Sequence, residues 1–182
     1  MKPALIVIDM LHEFVYGRLR SPDAQAIVPN IKKLIEEAHK YGVPVIHVAD
    51  NHLPHDHELK IWGPHALAGS PEARIIDDLK PRNGDIVLYK RTYSGFRDTG
   101  LDMLLRDLGI NTVILTGIHT HICVLHTASD AFYYGYNIAV VKDAVAAFSR
   151  KDHEYALEFM EKIYGAKIVS INEALEIIRR KE

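Results

Sequence analysis

A chain of 182 residues, 48% hydrophobic and 25% charged, has ordinary globular proportions and enough length for one domain with a substantial core. Its formal net charge of -2 gives no electrostatic basis for a nucleic-acid or anionic-membrane partner, and no apolar run approaches the ~18 residues that a membrane span needs. A single cysteine forbids an internal disulfide and no basic-then-apolar leader precedes the first expected strand, so the expectation is one domain over residues 1–182 in the cytoplasm.

Residues 4–8 form an apolar run ending at Asp9, the pattern of a central strand. After a polar loop, Ile27, Ile31, Leu34, Ile35 and Ala38 recur at helical spacing, and Gly42 is a natural stop. Residues 43–48 read as a second strand ending just before Asp50. The stretch 51–70 carries four histidines and Trp62, and a loop of that length in a compact domain is usually functional. A short helix is expected over 72–79, then a strand over 86–88 leading to Lys90. Leu101, Leu104, Leu105 and Leu108 mark the next helix, stopped by Gly109. The apolar run Val113, Ile114, Leu115 is the fourth strand, broken by Gly117. Thr120 is suited to cap a helix that reads from Cys123 to about Tyr134. Residues 138–141 form a fifth strand, 151–164 a helix and 167–169 a sixth strand; Asn172 is placed to cap a terminal helix with a solvated charged end over 179–182. Strands alternating with helices imply parallel neighbours joined by right-handed crossovers. The expected fold class is therefore α/β: a three-layer, Rossmann-like α/β/α sandwich with a six-stranded parallel sheet.

In such sheets ligands bind beyond the carboxyl ends of the strands. Asp9, Asp50, Lys90 and the turn to Cys123 stand at four of those ends. The cysteine, near a helix N-terminus, is expected to lean toward thiolate. A carboxylate and an ammonium beside a thiol can lower its pKa and carry its proton, as covalent catalysis requires. The bland alternative is that Cys123 is a small core residue. Asp50 and His52, two residues apart, share one side of an extended backbone. With His65 they form a donor set suited to Zn, Fe or Mn. His55, Asp56 and His57 are expected to be solvated loop, and His47 and His126 structural. Phe14, Trp62, Tyr93 and Phe96 are candidates for a pocket wall around a flat substrate. Tyr133, Tyr134 and Tyr136 point to an oligomer face, hence a homo-oligomer, dimer or tetramer.

Several short pieces occur in order at these strand ends: Leu5-Ile-Val-Ile-Asp9-Met10 with Phe14 following; Lys90 ahead of Tyr93-Ser-Gly-Phe96; Gly117-Ile-His-Thr-His-Ile-Cys123; Ala128 and Asp130; and Lys142-Asp-Ala144. Over nearly the whole chain they resemble the isochorismatase-like cysteine hydrolases, which include nicotinamidases and N-carbamoylsarcosine amidases. The resemblance implies Cys123 as nucleophile, Asp9 as proton acceptor and donor, and Lys90 as electrostatic partner. It implies a cis peptide between Ile118 and His119, with the backbone N–H groups of His119 and Cys123 receiving the oxyanion. It also implies a divalent metal, Zn first, on Asp50, His52 and His65. The expected reaction is hydrolysis of a small-molecule amide through a thioester, nicotinamide giving nicotinate and ammonia. An N-carbamoyl amide hydrolase is the alternative, and a non-catalytic binding protein of this fold a third. Relatives often carry a small residue at the position of His119 and an acidic one at that of His121. The His119 side chain is expected to face the pocket and narrow the substrate range, whereas that of His121 is expected in helix contacts or solvent.

Overall fold

Six of the apolar runs become strands. In the computed structural model, which describes residues 1–180, these are β1 (Pro3–Ile8), β2 (Val45–Asp50), β3 (Ile86–Lys90), β4 (Thr112–Ile118), β5 (Asn137–Ala146) and β6 (Lys167–Val169). They form one sheet in the order β3-β2-β1-β4-β5-β6, every neighbouring pair parallel. Every residue of β1, β2 and β4 is buried, which is why these strands read as continuous apolar runs rather than alternating ones. Lys181 and Glu182, part of the end expected to be solvated, lie outside the described residues.

Successive residues of β1 supply two cores. Leu5 and Val7 join the side chains of α2 (Ala24–Tyr41) and α7 (Ile171–Arg179) on one face of the sheet. Ala4, Ile6 and Ile8 join α4 (Leu101–Asp107), α5 (Leu125–Tyr133) and α6 (Arg150–Tyr164) on the other. Two single-turn helices, α1 (His12–Val15) and α3 (Leu59–Trp62), sit in the loops after β1 and β2. The three layers are those the pattern implied. Among the described residues no helix is long and apolar enough to cross a membrane.

Several boundaries differ from expectation for local reasons. Gly117 does not end β4 but lies inside it, at φ 108°, where a Cβ would stand 1.9 Å from the carbonyl oxygen of Ile8. The missing side chain lets β1 and β4 close together at the end where Asp9 and Cys123 emerge, and the register with β5 shifts there. Cys123 belongs to a π-helical turn, Thr120–Val124, ahead of α5. Thr120 is not a cap: its hydroxyl pairs with His153 Nδ1 at 3.0 Å instead. Residues 72–79 hold two 3₁₀ turns, Pro71–Ala73 and Asp77–Leu79, rather than one helix. The cap of α7 is Ser170, in a reciprocal box with Glu173, and not Asn172. Tyr136 is buried beside Phe96, so it does not share the exposure of Tyr133 and Tyr134.

Candidate active site and metal centre

The sheet order places Lys90, Asp50, Asp9 and the turn to Cys123 at the ends of four adjacent strands. The chain reverses its direction of growth between β1 and β4, the crevice where such sheets bind ligands. Asp50 and Lys90 are register partners, which sets their side chains beside each other. Asp9 leaves β1 with φ 52°, a left-handed turn that Asp tolerates better than most residues. Its Oδ1 accepts the backbone N–H of Asp50 at 2.8 Å, fixing the carboxylate between the two strands. The Cys123 turn is tied down by Thr127, whose hydroxyl donates to the Cys123 carbonyl at 2.6 Å and accepts from Gly95 N at 2.9 Å.

Lys90 is the centre of the cluster and is fully buried. Its Nζ lies 2.8 Å from Asp9 Oδ2, 2.5 Å from Asp50 Oδ1, 3.0 Å from the Thr92 carbonyl and 3.5 Å from Cys123 Sγ. Asp9, Asp50 and Cys123 each bring one atom to within 4.8 Å of the others. Two carboxylates thus share one ammonium in a site shut off from water. Burial pushes the Asp9 carboxyl up to about 7, helped by the charge of Asp50 and opposed by Lys90. Burial also raises the Cys123 thiol well above its ordinary value; Lys90 opposes this, and Asp9 and Asp50 add to it. Burial and the two nearby carboxylates thus oppose the expected lean toward thiolate, and the ammonium favours it.

Asp50 also faces the second group. Its Oδ2 is 3.5 Å from His52 Nε2, and Asp50, His52 and His65 bring one ligand atom each to within 4.8 Å of one another. The other nitrogen of each ring is held: His52 Nδ1 by Asp56 Oδ2 at 3.2 Å, and His65 Nδ1 by the Gly63 carbonyl at 2.8 Å. His52 Nε2 is buried without a hydrogen-bond partner, and Glu58 Oε2 is 3.9 Å away. Buried imidazole nitrogens converging on carboxylate oxygens, each ring oriented from behind, fit a divalent cation.

Two residues of this centre escaped the sequence reading. Asp56 is not solvated loop: it is buried, it orients His52, and Arg91 holds it in a two-pronged ion pair that keeps its carboxyl well below the usual range. Glu58 is buried too, with Oε1 unpartnered. The signal available was an acid beside each of the loop histidines His55 and His57. Those histidines themselves are exposed, as expected. His47 is buried, with Nε2 3.7 Å from Asp85. His126 lies on the surface, bonded to the Ile122 carbonyl and against the ring of Tyr93.

Phe14, Trp62, Tyr93 and His119 line a pocket over Cys123, with Leu19, Ile122 and Phe148 completing its apolar wall and Asp50, Glu58 and His65 its polar one. Its volume is about 20 Å³, room for roughly one water molecule. Phe96 does not belong to it. That ring is buried in the core on the α5 side of the sheet, packed on Tyr134 and Tyr136. The Ile118–His119 peptide is cis, as the resemblance implied. His119 is buried, and His121 is half-buried, its ring near those of His119 and Phe148.

A doubly wound parallel sheet with a buried acid, ammonium and thiol at its switch point is the frame of a hydrolase built on an α/β/α sandwich. The isochorismatase domain model matches residues 3–173, and the chain belongs to the isochorismatase family. It is 33% identical over 175 residues to an uncharacterized isochorismatase family protein of Bacillus subtilis, covering 95% of this chain and 96% of the relative. Its fold is similar to that of N-carbamoylsarcosine amidase from Thermoplasma acidophilum, with TM-score 0.90, 45% identity, and 94% and 98% of the two chains covered. It is also similar to a Pyrococcus horikoshii pyrazinamidase solved in complex with zinc, with TM-score 0.85, 31% identity, and 93% and 99% covered.

Proposed function

We propose that this chain is a cysteine-dependent amidohydrolase, with nicotinamide as the first candidate substrate and residues 1–182 acting as one domain. The observation that carries the reading is the contact of Lys90 Nζ with Asp9, Asp50 and Cys123 Sγ at one strand edge. In this reading Asp9, poised near 7, takes the Cys123 proton as substrate enters. The Cys123 sulfur then attacks the amide carbonyl, and the oxyanion is received by the backbone N–H groups of His119 and Cys123. The C–N bond breaks as Asp9 returns the proton to the departing nitrogen, leaving a thioester and ammonia. Asp9 next takes a proton from water, whose oxygen attacks the thioester; the C–S bond breaks, Asp9 returns that proton to sulfur, and the acid product leaves. Lys90 stays charged throughout and compensates the negative charge that passes from Asp9 to sulfur.

Asp50, His52 and His65, with Glu58 close by, would hold a divalent metal, zinc first, with iron or manganese also suited to the donors. Such an ion would supply a Lewis-acid anchor for a pyridine nitrogen or a water beside the thiol. The 45% identity to an N-carbamoylsarcosine amidase favours a second reading on the same residues, hydrolysis of an N-carbamoyl amide. Ammonia release from nicotinamide and from N-carbamoyl amines, measured side by side on metal-loaded protein, separates the two. Turnover of neither at millimolar concentration removes the amidase reading. Cytoplasmic residence and a homo-oligomer, dimer or tetramer, complete the proposal; the exposed rings of Phe132, Tyr133 and Tyr134 support the second point, and light scattering tests it.

A further inference from the structure

The walls of the pocket differ in how deeply they are buried. Trp62, at the end of α3, and Tyr93 are half-buried and meet through one hydrogen bond, Nε1 to Oη at 3.0 Å. His119 is fixed from every side. Its backbone joins β4 to the turn Thr120–Val124, and its Nε2 donates to the Leu19 carbonyl at 3.0 Å. Its ring lies 4.1 Å from that of Phe148 and edge-on to Phe14 at 5.5 Å. A carbonyl only accepts, so Nε2 carries a proton, and burial keeps the ring's pKa low, at about 3, which favours the neutral imidazole. Through Leu19 the same ring tethers the loop between α1 and α2, whose Arg18 donates to the carbonyls of Trp62 and Pro64. A void of about 20 Å³ must open to admit any amide. The His119 ring, bonded at Nε2 and packed against two aromatic rings, cannot rotate to widen it without breaking those contacts.

We propose that His119 is the specificity-determining residue of this pocket, a rigid wedge that restricts the site to slim, planar, single-ring primary amides. The inference rests on the amidase reading for its substrate class, but its test does not depend on turnover. Trp62 is the only tryptophan of the chain and lines the pocket, so its fluorescence reports occupancy. Nicotinamide and the two-ring quinoline-3-carboxamide are titrated into the wild type, His119→Ala, His119→Thr and His119→Phe. The wild type and His119→Phe, which keeps the bulk, are expected to bind the single-ring amide at least about tenfold more tightly, the scale on which a pocket rejects excess volume. In His119→Ala and His119→Thr that ratio is expected to fall at least about fivefold, through tighter binding of the larger amide. Equal binding of the two amides by the wild type, no quenching by either, or an unchanged ratio in the small-residue variants overturns the proposal. Should both of those variants fail to fold, His119→Val, which also removes bulk from the pocket, takes their place with the same expected fall in the ratio, and an unchanged ratio overturns the proposal. Ammonia release is followed in parallel: binding with the expected ratios but no ammonia refutes the amidase reading alone, and ammonia release with an unchanged ratio refutes the wedge alone.

Discussion

At the scale of single residues, the balance of two carboxylates against one ammonium sets the behaviour of the site. With Asp9 raised to about 7, its carboxylate form, the one able to take the thiol proton, is lost as pH falls through that value. On the amidase reading, kcat/KM is expected to drop about tenfold per unit below pH 7; a flat profile from pH 5.5 to 8 contradicts it. The stability sign runs the other way. A carboxyl that binds its proton more tightly in the folded state stabilises the fold at low pH and loses that contribution as pH rises toward 7. Asp9→Asn is therefore expected to lower kcat by at least about a hundredfold while keeping or raising the melting temperature at pH 8. Calorimetry of both proteins at pH 5 and pH 8 checks this. The meeting of Asp9, Asp50, Lys90 and Cys123 was legible in the sequence because strand ends bring them together whatever the loops do, whereas His52 and His65 were singled out by their spacing from Asp50 and by the family resemblance. The protonation state of the sulfur was not legible, since it depends on how completely water is excluded and on both acids at once.

At the scale of elements, the close approach of β1 and β4 depends on one glycine. A methyl group at Gly117 would meet the Ile8 backbone, at a φ that L residues avoid. Gly117→Ala is expected to cost more than about 3 kcal/mol and to shift the urea midpoint accordingly; an unchanged midpoint would show that the strands can part there without penalty. In the sequence this glycine reads as a strand break, because glycine inside a strand and glycine after one look alike without the neighbouring backbone. The helices were legible where apolar spacing was long, as in α2, and misplaced where hydroxyls competed for caps, as at Thr120 and Ser170. Phe96 was misassigned for a similar reason: two aromatic residues three apart in a turn offer no period from which to tell wall from core. Asp56 and Glu58 were hidden by the surrounding charge of an apparently surface loop, since nothing in the sequence marks the pairing of Asp56 with Arg91 or the contact of Glu58 with His52.

At the scale of the whole molecule, one carboxylate joins two centres. Asp50 gives one oxygen to Lys90 and turns the other to His52, so the metal group and the thiol group share a wall. Purified protein dialysed against zinc is expected to retain about one ion per chain, the stoichiometry of a structural or catalytic site of this donor set. His52→Ala is expected to lose it, as elemental analysis would report. Retention by the variant would place the ion elsewhere.

The groups around Lys90 come from positions 9, 50, 90 and 123, spread over two thirds of the chain and carried by four adjacent strands. No fragment that lacks one of these strands can assemble the cluster, and partial opening of the sheet's centre should dismantle it completely. The lone thiol is thus an internal clock for integrity: in a denaturant series its labelling by iodoacetamide should begin at the concentration where far-ultraviolet ellipticity collapses. Earlier labelling would reveal that the crevice breathes while the rest of the architecture holds.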